Sequence, residues 1–153
     1  NGEENGNNEE PVEQELGLAA EDEFTSKFLV STEEEEEGFY RMRGELGGFE
    51  MLISKDALID KVAHSTTDDA LEKLIFSEVD EKNNRNLMVD IEFQRDYSQN
   101  LKESYLETFI ERIGFEGDPE FEDLGDIEVH YGYFVEEYEE NPEYHIFLGL
   151  FIF

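Results

Sequence analysis

Asp126–Phe153, DIEVHYGYFVEEYEENPEYHIFLGLFIF, reads as two long β-strands around an Asn141-Pro142 turn. Val, Ile, Tyr and Phe fill both flanks, and Pro142 has no N–H to give to a ladder, so it belongs at the turn. Setting Glu139 opposite Glu143 pairs Val135 with Phe147, Tyr133 with Gly149, Tyr131 with Phe151 and Val129 with Phe153 on one face. The other face then pairs Phe134 with Leu148, Gly132 with Leu150 and His130 with Ile152. Both faces of the stem are apolar, and only the tip, Glu136–Glu143, is acidic. Such a strand sits inside a covered sheet or at a subunit contact. The hairpin is therefore expected in the core, with a homo-oligomer through it as the alternative. Phe134, Leu148 and Ile152 mark the face offered to a partner.

Upstream, Leu87, Val89, Ile91 and Phe93 alternate with Met88, Asp90, Glu92 and Gln94, the period of a strand with one buried face. Gly47-Gly48 has the residues of a two-residue hairpin turn, which requires positive φ angles. It pairs Leu46 with Phe49, Gly44 with Met51 and Met42 with Ile53. Between these strands Ser54 is an expected N-cap for a helix over Lys55–His64, and Thr66 with Asp69 starts a second helix through Phe76. Asn100 and Glu103 form a capping box. Leu101, Tyr105, Phe109 and Ile113 recur at helical spacing behind it, and Gly114 supplies the stop. The expected order is β-β-β-α-α-β-α-β-β, an α+β fold with a largely antiparallel sheet and helices packed on one side.

Apolar residues begin near Phe24. Residues 1–22 are therefore assigned to a disordered acidic tether, and 23–153 to a single globular α+β domain. The tether opens at Asn1, and NGEENGNNEEPVEQE has the composition of a linker behind a removed signal or a lipidated Cys. The expected location is extracytoplasmic, with membrane tethering at the N-terminus. A cytoplasmic protein is the alternative.

Charge excludes more than it identifies. There are 42 acids and 11 bases, a net −31. The stretch 116–153 holds twelve acids and no base, whereas 39–115 holds sixteen acids against ten bases. Such a field repels nucleic acid and anionic lipid and attracts polycations and divalent metals. No apolar run is long enough to span a bilayer. The absence of Cys removes disulfides, thiol nucleophiles and thiolate metal centres.

No G-x-S-x-G, phosphate-binding loop or dinucleotide fingerprint occurs, and His64, His130 and His145 share no metal-ligand spacing. Enzymatic activity is not expected. Asp118, Glu120, Glu122, Asp123 and Asp126 gather oxygen ligands of the kind calcium takes, although Asp123 stands where an EF-hand loop needs Gly. No other cofactor is implied. Glu103, Glu107 and Glu111 form a carboxylate row along the main helix, and Glu136, Glu139 and Glu140 cluster at the hairpin tip. Both suit a basic partner. Two readings follow: an exported, non-enzymatic binding domain of lipoprotein type, or an intracellular inhibitor, DNA mimic or immunity protein that blocks a basic partner.

Overall fold

A computed structural model describes residues 15–95, 101–138 and 141–153. Antiparallel strands dominate it, and the chain divides into two compact units, Asn1–Asp96 and Tyr97–Phe153.

The first unit begins with a helical turn, α1 (Leu18–Glu21), and a 3₁₀ turn over Thr25–Phe28. An antiparallel pair follows, β1 (Phe39–Arg43) with β2 (Glu50–Ser54). A second sheet is organised on β5 (Leu71–Asp80), which takes β3 (Leu58–Ile59), β4 (Ser65–Thr67) and β6 (Arg85–Gln94) as antiparallel partners. Tyr40, Met42, Ile53, Ala57, Ile59, Leu74 and Phe76 are buried together with Ala19 and Phe28. Val89 and Ile91 of β6 pack half-buried against them. The period-two reading of β6 holds over Val89, Ile91 and Phe93, which are half-buried, whereas Leu87, expected on the same buried face, is 50 % exposed.

Residues 17–22, placed in the tether by composition, are folded onto this unit, with Ala19 in its core and Ala20 packed against it. Ala19 is fully buried. The Gly17 N–H donates to the Tyr40 hydroxyl, 3.0 Å, and the Ala19 N–H to the Lys55 carbonyl, 2.8 Å. Residues 1–14 lie outside the described residues.

The two helices expected over 55–76 are turns and strands instead. Asp60 Oδ1 accepts the N–H groups of Val62 and Ala63, a local bond that competes with helix formation. Val62, expected on an apolar stripe, is 94 % exposed. Asp68 and Asp69 adopt φ of 50° and 54°, which no helix accepts, and the chain turns there into β5. On β5, Glu72, Leu74 and Phe76 are buried in alternation, a strand period.

The β1–β2 register is also two residues from expectation. Met42 lies opposite Met51 and Tyr40 opposite Ile53, and the connection is a wider loop closed by the Gly44 N–H on the Phe49 carbonyl. Gly47 does take a positive φ, 68°. Gly48 is small for another reason: a Cβ there would stand 2.1 Å from the Phe93 ring.

The second unit contains α2 (Lys102–Ile113) and one sheet of order β7-β8-β9. Its strands are β7 (Glu120–Asp123), β8 (Glu128–Tyr138) and β9 (Asn141–Ile152), all antiparallel. Helix α2 ends at Gly114, φ 75°, whose N–H satisfies the carbonyls of Ile110 and Glu111. At the other end the cap is Leu101, and the expected Asn100 cap lies outside the described residues. The long hairpin exists, shifted by two residues: Tyr133 pairs with Phe147, Val135 with His145 and His130 with Leu150. A shift of two keeps every side chain on its predicted face. The observed order, α-β-β-β-β-β-β-α-β-β-β, thus replaces the expected one while the antiparallel character stands.

Candidate functional site

The carboxylates singled out by sequence are distributed over different elements. Glu103, Glu107 and Glu111 all project exposed from one side of α2. Glu136 lies on β8 opposite Tyr144, while Glu139 and Glu140 lie outside the described residues. The calcium candidates do not form one loop. Glu120, Glu122 and Asp123 stand on strand β7, where neighbouring side chains point to opposite faces, and Asp118 and Asp126 flank it. Asp123 Oδ1 is engaged by the Gly125 N–H at 2.8 Å. Among the described residues no group of three or more His, Asp or Glu side chains is arranged to hold a metal ion.

The histidines occupy other surroundings than spacing implied. His64, expected at a helix C-terminus, packs edge-on against Phe24 and Phe28 beside the buried Glu72. His145 lies opposite Val135 and stacks on Tyr133. His130 Nε2 lies 3.7 Å from Glu128 Oε2, which also pairs with the Lys102 ammonium. Burial, and secondarily that ammonium, hold the His130 imidazole below its ordinary range.

An open depression beside β2 encloses about 380 Å³ between Glu35, Glu36, Arg41, Glu50, Met51 and Leu52. Its one cation, Arg41, is already paired with Glu35 at 2.7 Å.

The most distinctive surface is one face of the β7-β8-β9 sheet. Its other face is covered at the centre, where Phe115, just beyond α2, meets the Phe134 ring at 5.8 Å and lies where a Cβ on Gly132 would have to stand, and Leu148 is buried beside them, while Phe121 and Tyr144 stay exposed on that face. This reverses the expectation that Phe134, Leu148 and Ile152 form the exposed side. The open side carries Tyr131, Tyr133 and Val135 from β8 with Phe147 and Phe151 from β9, all exposed. Tyr133 and Phe147, directly paired, have ring centroids 4.7 Å apart. Register with β7 places Glu120 opposite Tyr131 and Glu122 opposite Val129 on this same face. The hydrogen bond between Tyr131 and Glu120, followed by the charge of Glu120, raises the Tyr131 phenol above its ordinary range.

Period-two spacing had already grouped these aromatics on one face. What it lacked was the cover: one Gly and one Phe decide which of two equally apolar faces is buried. Glu72 was missed altogether because its segment carried helical start signals.

A family model described as "Putative lipoprotein YvcA" matches residues 17–152, spanning both units. No curated protein and no solved structure matches the chain. Among the described residues no helix is long and apolar enough to cross a membrane.

Proposed function

The chain belongs to the YvcA lipoprotein family, and from that premise we propose that it is an extracytoplasmic, membrane-tethered domain that binds a basic protein or other polycation without catalysing a reaction. The family match carries the location, and it favours the exported reading over the intracellular inhibitor. The composition supports the choice of partner. A net charge of −31 accelerates encounter with cations and opposes nucleic acid and anionic lipid. The sheet of the second unit supports it further, since the stretch 116–153 has no Lys or Arg with which to neutralise its own twelve acids.

Location is tested by feeding a labelled fatty acid to the native cell and partitioning the full-length protein into detergent. Label and protein together in the detergent phase are expected, and an unlabelled protein in the aqueous phase of broken cells would defeat the reading. Binding is tested by salt-dependent retention on immobilised basic and acidic polypeptides. Retention by the basic matrix, released at high salt, is expected. Equal retention by both would remove the charge-based reading.

A further inference from the structure

We propose that the open face of the β7-β8-β9 sheet is the docking surface for an extended, Lys/Arg-bearing segment of a partner protein. The aromatic rings would be its platform and Glu120 and Glu122 its anionic border. The inference rests on the basic-partner reading above and assigns it a place.

Three observations carry it. First, the rings are available: Tyr131 is 39 % exposed, Tyr133 48 %, Phe151 59 % and Phe147 78 %. A contiguous aromatic surface of this kind is unusual on a free face and marks an interaction site. Second, the rings are arranged as a track along the strands. His145, Tyr133 and Phe147 follow one another, with centroids 5.9 Å and 4.7 Å apart. Gly149, opposite Tyr131, brings no side chain to the track, and the Phe151 ring comes within 3.3 Å of where its Cβ would stand. Third, charge selects the occupant. None of the three strands contains Lys or Arg, and Glu120 and Glu122 line the β7 side. A second copy would set the same sign against itself, and an anionic bilayer would do likewise. A basic segment supplies the missing sign, with ammonium or guanidinium groups over ring faces and others against the two carboxylates.

The test uses the full chain and a short labelled peptide alternating arginine with alanine, beside its glutamate counterpart. The arginine peptide is expected to bind and the glutamate peptide not. The double variant Tyr133→Ser/Phe147→Ser should weaken binding about tenfold through loss of two cation–π partners and their contact area. Glu120→Gln/Glu122→Gln should weaken it comparably. Glu103→Gln/Glu107→Gln/Glu111→Gln removes more charge, but from α2, and should change affinity about twofold or less by long-range screening alone. Unfolding curves confirm that each variant is folded, which the exposure of the changed side chains favours.

If affinity follows total charge removed and ignores Tyr133 and Phe147, this surface is wrong while the basic-partner reading stands. If no basic peptide binds the parent chain, the basic-partner reading itself fails, and this inference with it. Self-association in light scattering that Phe147→Ser abolishes would give the face to a second copy. Binding to phosphatidylglycerol vesicles that the same change abolishes would give it to a lipid surface, and either result overturns the proposal.

Discussion

Nε2 of His64 stands 3.5 Å from Oε1 of Glu72, and Glu72 is wholly buried. The same carboxylate accepts the backbone N–H groups of Glu45 at 2.8 Å and Leu46 at 3.0 Å. One side chain on β5 thus secures the loop between β1 and β2 and receives the histidine that precedes β4. A buried carboxylate is costly unless its oxygens find donors, and here backbone amides provide them. The wide loop and its shifted register are the geometry that lets those amides point inward.

Removing that acceptor should loosen the hairpin. Glu72→Ala is expected to cost about 1–3 kcal/mol, the usual loss when buried donors are left without their acceptor. Glu72→Gln should cost less, because the amide retains one acceptor oxygen. Urea unfolding of both variants measures this, and an alanine variant as stable as the parent would show that the loop is held by something else.

Gly48 and Phe93 should be coupled. Gly48→Ala places a methyl group in the Phe93 ring and should destabilise by about 1–3 kcal/mol, the range for overpacking. In a Phe93→Leu background the same change should cost measurably less, by at least about 0.5 kcal/mol. Equal costs in both backgrounds would place the penalty in the backbone rather than in the contact.

Stability should fall on mild acidification through His130. Burial and Lys102 make the folded state reluctant to protonate this ring, whereas the unfolded chain takes the proton near the ordinary value of about 6.5. Below that pH the unfolded state binds more protons, so the stabilisation present above it is lost as pH drops towards the folded-state value. Melting temperature against pH should flatten in this window for His130→Gln. NMR titration of His130 with an ordinary or raised midpoint would contradict the prediction.

The Tyr131 phenol should ionise later than an ordinary tyrosine in an ultraviolet pH titration, because deprotonation breaks its hydrogen bond to Glu120 and sets two negative charges together. Glu120→Gln should shift the transition back to lower pH. No change in that variant would mean the pair is not formed in solution.

The strand character of 87–94 was legible because alternation of apolar and polar residues is a local property, carried by residues two apart, and that of Glu128–Tyr138 and Asn141–Ile152 because β-branched and aromatic residues fill both flanks of the hairpin. Helix α2 was legible for the same reason at its own period, and Gly114 announced its end. Over 55–76 the local signals pointed the wrong way. Ser54, Thr66 and Asp69 favour helix starts, but β5 pairs with three other strands and buries Leu74 and Phe76, and that non-local gain outweighs a helical propensity worth tenths of a kcal/mol per residue, about 0–0.7.

The candidate site divides in the same way. Composition alone established a strongly acidic chain, net −31, and spacing alone grouped Tyr131, Tyr133, Phe147 and Phe151 on one face of a hairpin. Neither could say that this face is the open one, that Glu120 and Glu122 join it, or that Glu72 is buried. The register of β7 on β8 and the ring of Phe115 over Gly132 settle the first two points, and the loop between β1 and β2 closing over β5 settles the third. They depend on which surfaces meet, and a chain read one residue at a time contains no term for that.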